Sequence, residues 1–254
     1  DYRGIFSSED LSTNKEVIFY RQYKKDIVTH SLVTYSSAMF GESQSGVTLK
    51  ALNNYLAVDG LPIKQSPVYN YAKDNNIRYY EEMYANRDPR VYATLNDAMR
   101  IGGIHNSPAS TGICVSKFTP YTVTDSKEYS SDYNSTDAPI IRYGEVLLNY
   151  AEACAELGLF TQDIADKTIN VLRNRNIKKD NEGDVLPKLP KMVISGGKVT
   201  ANGVEINDPD RDPSVDPVLW EIRRERAVEL FMEGHRRFDL KRWKKFSYIA
   251  NNEV

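Results

Sequence analysis

Across residues 140–157 the apolar side chains fall at 140, 143, 146/147, 150/151, 154 and 157, and Gly158 closes the run. A recurrence of about 3.6 residues ending in glycine predicts an amphipathic helix. After Gly158-Leu159-Phe160-Thr161 a second run, residues 164–175, places Ile164, Ala165, Ile169, Val171 and Leu172 on a helical pattern. So short a connection predicts an antiparallel helical hairpin. One hairpin cannot bury its own apolar face, so it must stack on something else. That requirement limits what the rest of the chain can be.

The hairpin divides the sequence. Residues 1–137 read as loop-rich with short strands, at 17–20, at 91–95 and at 112–118, a short helix at 49–55 and a turn at Asp59-Gly60-Leu61-Pro62. The hairpin occupies 138–177, and 178–217 reads as a second loop-rich insert holding Gly196-Gly197. Residues 218–246 read as one charged helix running from Trp220 to Phe246. On it Glu233 stands four residues before Arg237 and three before Arg236, the spacing of a surface ion pair. Ala227, Phe231, Gly234 and Phe238 suggest a buried stripe, with Gly234 admitting a neighbour closely.

Charge and motif content exclude several functions. The 33 Lys and Arg against 35 Asp and Glu give a net charge of −2, without the strong basic field of a nucleic-acid binder. No stretch approaches the about 18 apolar residues of a spanning helix. Three scattered histidines and two cysteines do not form a zinc cluster. Cys114 and Cys154 are at an uninformative spacing, and Cys154 reads as a buried thiol. His235-Arg236-Arg237-Phe238-Asp239 lacks the contiguous His-Arg-Asp of a kinase loop, and no nucleophile elbow, P-loop or dinucleotide fingerprint is present. Carboxylates such as Glu81, Glu82, Asp132 and Asp137 are plentiful, but nothing in their spacing selects a glycosidase pair. Lys241-Arg242-Trp243-Lys244-Lys245 closes a helix, where cations favour the dipole's negative end. Asp208, Asp210, Asp212 and Asp216 occupy positions 1, 3, 5 and 9 of a calcium loop, against Pro213 at position 6 and Leu219 at position 12. Calcium and a solvated acidic turn are the two readings of that segment; no other cofactor is expected.

Tyrosine is in excess. Of the 17, 11 precede residue 93. Each ring offers a flat apolar face and a polar hydroxyl at little rotamer cost, which suits sugar rings with C–H faces and hydroxyl edges. The plain alternative is a core lined with tyrosines whose hydroxyls stay wet. Tyr35, Phe40, Tyr69 and Tyr71, set among Ser, Gly and Asn, are the candidate ligand-binding aromatics.

One family gathers these features. Residues 222–230 (IRRERAVEL) followed by 233–243 (EGHRRFDLKRW) resemble the terminal-helix signature of SusD/RagB proteins. Asn14-Lys15-Glu16-Val17, Asp59-Gly60-Leu61-Pro62, Asn86-Arg87-Asp88-Pro89-Arg90, Lys117-Phe118, Ile141-Arg142-Tyr143-Gly144-Glu145 and Arg173-Asn174-Arg175 match further family segments in order. Ala151, Gly158 and Ala165 also resemble, in degenerate form, the small-residue positions of a tetratricopeptide repeat. The resemblance implies a mainly α fold, tetratricopeptide-like helical hairpins in an α-α superhelix supporting a loop-rich, partly β-strand ligand face. It implies a non-catalytic, lipid-anchored protein of the Bacteroidetes outer membrane that captures oligosaccharide at the cell surface. Its partner would be a SusC-like TonB-dependent transporter. A protein-interaction scaffold and a binder of peptide or another nutrient are the alternatives. Arg226, Glu229, Gly234, Arg236, Asp239 and Trp243 would be architectural, a charged network locking the last helix to the repeats. Family members are longer, so the chain reads as a C-terminal portion without the lipid-carrying cysteine, the earlier repeats or the C-terminal tail.

Overall fold

The computed structural model describes residues 2–36, 46–69, 83–95, 111, 113–120, 127, 130–178 and 183–250. In chain order its elements are α1 (Gly4–Ser7), β1 (Val17–Arg21), α2 (Leu32–Ser36), α3 (Leu49–Leu52), α4 (Arg90–Thr94) and β2 (Ala138–Arg142). Then follow α5 (Tyr143–Glu156), α6 (Gln162–Lys167), α7 (Ile169–Arg173), β3 (Val193–Ser195), β4 (Lys198–Ala201), β5 (Val204–Glu205), α8 (Pro217–Glu229), α9 (His235–Arg242) and α10 (Ser247–Ala250).

β1, rich in β-branched and aromatic residues, pairs antiparallel with β2, setting Val17 opposite Arg142 and Arg21 opposite Ala138. Residues 140–142, expected to be helical, are therefore strand, and α5 begins only at Tyr143. The helical pattern is also split. Leu147, Leu148, Ala151 and Cys154 are buried, whereas Tyr143, Val146, Tyr150 and Leu157 lie exposed on the outer face. Gly158 ends the helix with φ +70°: its N–H reaches the Ala155 carbonyl at 3.0 Å, and Leu159 N–H reaches Cys154 at 2.8 Å, a Schellman closure. The expected second helix is two short ones, because Thr168 leaves helical backbone (φ −123°, ψ −92°) and turns its hydroxyl to the Ile164 carbonyl at 2.6 Å.

Residues 91–95, expected as a strand, are mostly the helix α4. Asp88 Oδ1 accepts the Arg90 N–H at 2.9 Å and Pro89 presets the first turn, which together start a helix. The insert at 178–217 holds a three-stranded antiparallel meander, β3-β4-β5. Its turns are Gly196-Gly197 and Asn202-Gly203, all four residues at positive φ, as two-residue hairpin turns of this hand require.

Asp216 caps α8, accepting N–H groups of Val218 and Leu219 at 2.8 and 3.3 Å with Pro217 behind it. The single helix expected to run from Trp220 to Phe246 is broken after Glu229. Met232 (φ +63°) and Gly234 (φ +86°) turn the chain before α9. A Cβ on Gly234 would meet nothing within 4 Å, so the residue serves the left-handed backbone and not a close neighbour. Phe238 is 69% exposed, which removes it from the expected buried stripe.

α8 separates two apolar cores. One gathers Tyr2, Phe6, Tyr55, Tyr84 and Val115 and receives Val228; the other gathers Leu147, Ile169, Met192 and Val199 and receives Ile222 and Leu230. Between Val228 and Leu230 stands Glu229, fully buried. Its carboxylate meets Arg90 at 3.0 Å, Arg142 at 2.7 Å and Arg175 at 3.1 Å. Arg90 also holds Asp88 at 2.7 Å and Glu225 at 2.6 Å, and Arg173 holds Glu225 at 3.1 Å. Arg142 reaches Glu233 at 2.6 Å and Glu16 at 3.0 Å, and Lys117 reaches Glu233 at 2.7 Å. Arg90, Arg142, Arg173, Arg175 and Lys117 are thus balanced by Asp88, Glu225, Glu229, Glu233 and Glu16. Only a matched set of this kind tolerates removal from water. Burial alone would raise the Glu229 pKa, but Arg175, Arg142 and Arg90 outweigh it and hold the carboxyl well below the usual range. At Lys117 burial outweighs the ion pair with Glu233 and brings the pKa down to about 8. Glu233, expected to pair with Arg237 on a solvated face, is committed to this interior network instead.

Candidate ligand-binding cleft

An open cleft of about 660 Å³ lies where α3, the turn near Pro62, the loop at 208–212, α8, α9 and α10 converge. That volume falls within the range of small-ligand sites, about 300–1,000 Å³. Two aromatic rings line it. Trp220, in the first turn of α8, donates Nε1–H to Asp208 at 2.7 Å, and Tyr248 of α10 packs edge-on to it with centroids 6.2 Å apart. The Tyr248 hydroxyl donates to Asp212 at 2.7 Å, and burial together with that carboxylate raises the phenol's pKa. Both rings are half-buried and fixed from behind by hydrogen bonds, so little freedom is left to lose on binding. Asn53, Asn54, Lys50, Arg224, Arg236 and Arg237 supply polar groups around them.

The acidic loop builds one wall of this cleft. Asp208 pairs with Arg224, Asp210 with Lys64 at 2.7 Å, and Asp212 with Lys245 at 2.6 Å, while Asp216 is the α8 cap. Each carboxylate takes a different partner, and among the described residues no group of three or more His, Cys, Asp or Glu is placed to hold an ion. The hydrogen bonds from Lys245, Ser214 and Tyr248 hold the Asp212 carboxyl well below the ordinary carboxylate range. The four carboxylates spaced for a calcium loop are thus engaged by Arg224, Lys64, Lys245 and the first turn of α8.

The expected ligand aromatics fare differently. Tyr69 is only 8% exposed; its hydroxyl donates to the Met83 carbonyl at 3.2 Å and accepts from Arg87 at 2.8 Å, with that guanidinium 4.5 Å above the ring. It packs the interior and is not a ligand residue. Phe40 and Tyr71 lie outside the described residues, as do Glu81, Glu82 and the side chain of Tyr35. Much of the tyrosine excess is spent on the core, where Tyr2, Tyr55 and Tyr84 are fully buried. Asp137 accepts N–H groups of Leu11 and Tyr23 at 3.0 and 2.8 Å, a loop-tying role. Cys114 and Cys154 are buried and not joined by a disulfide.

The residues expected to be architectural lie near the cleft but divide into separate groups. Arg226 grips Asp239 bidentately at 3.0 and 3.1 Å, tying α8 to α9. Trp243 donates Nε1–H to Glu152 of α5 at 2.5 Å, and Arg242 meets the same carboxylate at 2.8 Å. Arg236 stands apart from the ion pairs, its guanidinium 5.6 Å from the Trp243 ring centroid, and it lines the cleft. Trp220 and Tyr248 escaped the sequence reading because a tryptophan opening a charged helix and a tyrosine after its end carry no local signal of sharing a wall.

The structure thus sets a side cleft rimmed by aromatic and charged groups on a helical scaffold with small sheets. The SusD family model matches residues 99–252, and the chain belongs to that family. A SusD-like protein of Bacteroides fragilis aligns at 25% identity and a TM-score of 0.62, over 96% of this chain and 46% of its own. A second solved chain, BT4246, aligns at 22% identity and a TM-score of 0.59 over 97% of this chain and 44% of its own, a likeness of fold. The present chain thus spans under half the length of these relatives. No curated protein matches it. No helix among the described residues is long and apolar enough to cross a membrane.

Proposed function

We propose that this chain contributes a ligand-binding wall to a non-catalytic cell-surface protein that captures oligosaccharide and passes it to a SusC-like TonB-dependent transporter of the outer membrane. Family membership supports the class, and the paired rings of Trp220 and Tyr248 in the cleft carry the sugar reading. Aromatic faces take sugar C–H groups while neighbouring amides and guanidinia take hydroxyls. Bond cleavage would need a carboxyl kept protonated near neutrality. Asp212 is shifted in the opposite direction by its hydrogen bonds from Lys245, Ser214 and Tyr248.

Calorimetric titration of the full-length protein against a panel of oligosaccharides tests this. One or more saccharides should bind, and Trp220→Ala should weaken that binding roughly ten-fold or more, the scale of a central aromatic anchor. Binding of a peptide and of no saccharide would replace the sugar reading with the other nutrient class.

A second observation bears on the helical hairpin. Tyr143, Val146, Tyr150 and Leu157 leave one face of α5 apolar and exposed. Such a face suits stacking on further hairpins of a tetratricopeptide-type superhelix, and the same surface supports the reading as an interaction scaffold.

A further inference from the structure

The class of saccharide can be narrowed from charge, an inference that rests on the cleft being the capture site. The cleft's carboxylates are spent: Asp208, Asp210 and Asp212 are neutralised by Arg224, Lys64 and Lys245. Three cations facing them are not. Lys50 donates Nζ to the Tyr248 carbonyl at 3.0 Å and meets no carboxylate. Arg237 would pair with Glu233 by helical spacing, but Glu233 is turned inward to Arg142 and Lys117. Arg236 rests beside the Trp243 ring, and Asp239, on its own helix, is already gripped by Arg226 and Arg242. Among the described residues, therefore, Lys50, Arg236 and Arg237 form no ion pair, though all three line one cavity beside Trp220 and Tyr248.

Arginine presents a planar fork that fits a carboxylate or sulfate with two parallel hydrogen bonds, and unpaired arginines beside aromatic rings complement a ligand combining an anion with a ring. We propose that the cleft selects an anionic saccharide, with Arg236, Arg237 and Lys50 receiving its carboxylate or sulfate and Trp220 and Tyr248 packing on the sugar ring.

The test is titration of the full-length protein with an oligogalacturonate, a sulfated oligosaccharide and an uncharged oligosaccharide of equal length, with inorganic sulfate as a fourth probe. At least one acidic saccharide should bind about ten-fold or more tighter than the uncharged one, since each charge-assisted pair is stronger than a neutral one. That preference should shrink as salt is raised. In Arg236→Gln/Arg237→Gln it should fall to near parity, with Lys50→Gln giving a smaller loss in the same direction. Equal or tighter binding of the uncharged saccharide overturns the proposal and leaves the capture reading standing. Acidic binding that survives the double variant, or inorganic sulfate bound as tightly as the saccharides, also overturns it. Absence of binding to any saccharide removes the capture reading itself.

Discussion

Glu229→Gln should lower the melting temperature by roughly 6–20 °C. Its carboxylate touches three arginines inside the protein, and an amide cannot balance them. Removing one partner of a buried pair costs about 3–5 kcal/mol, and about 2–4 °C accompany each kcal/mol in a chain of this size. The exposed pair Lys167–Asp163 is the contrast: Asp163→Asn should leave the melting temperature unchanged. Acid provides an independent reading of the same network. Glu229 has a lowered pKa when folded and about 4.3 when unfolded, so in mild acid the unfolded chain binds more protons. Its stabilisation is complete above the unfolded value and is lost as pH falls through the folded one. Urea midpoints should therefore drop steeply from about pH 5 downward, and less steeply in the Gln variant. Equal slopes would mean that Glu229 does not carry the network.

Gly144→Ala should also destabilise, against the usual preference of helices for alanine of about 1 kcal/mol. The residue sits in the first turn of α5, where an added Cβ would run into Arg142 Nη1 and lie 3.1 Å from Glu229 Oε1. A guanidinium end can ordinarily swing aside. This one is held by Glu229 at 2.7 Å and Glu16 at 3.0 Å in a buried cluster, so moving it breaks pairs that water cannot replace. The expected cost is about 2–3 kcal/mol, or roughly 4–12 °C in a thermal melt. Ala153→Gly on the exposed side of the same helix should lose only about 1 kcal/mol. Both variants are thus less stable, although one adds a methyl group and the other removes one, and a stabilising Gly144→Ala would show that the cluster is loose.

The sequence reveals those parts of the fold that rest on local chemistry. Gly158 as a helix stop, the β1 strand and the Asp59-Gly60 turn all follow from propensity and backbone freedom. The insert's meander was equally legible, because Gly196-Gly197 and Asn202-Gly203 flank alternating apolar residues; reading glycine as a mark of looseness hid two hairpins. Other features depended on distant partners. Glu233 and Arg237 have ideal spacing for a surface pair, yet Lys117 and Arg142, more than ninety residues away in sequence, take Glu233 inward. Trp220 and Tyr248 share a cleft only because the chain turns at Met232 and Gly234. Tyr69 looked like a loop aromatic until Arg87 was seen across its ring.

The cleft bearing Trp220 and Tyr248 is where ligand should be held. A crystal structure of the full-length protein soaked with a saccharide that binds it tests this most directly. A sugar ring should lie within about 4 Å of the Trp220 or Tyr248 ring, with its anionic group against Arg236 or Arg237. A saccharide ordered elsewhere on the protein, with this cleft empty, would contradict it.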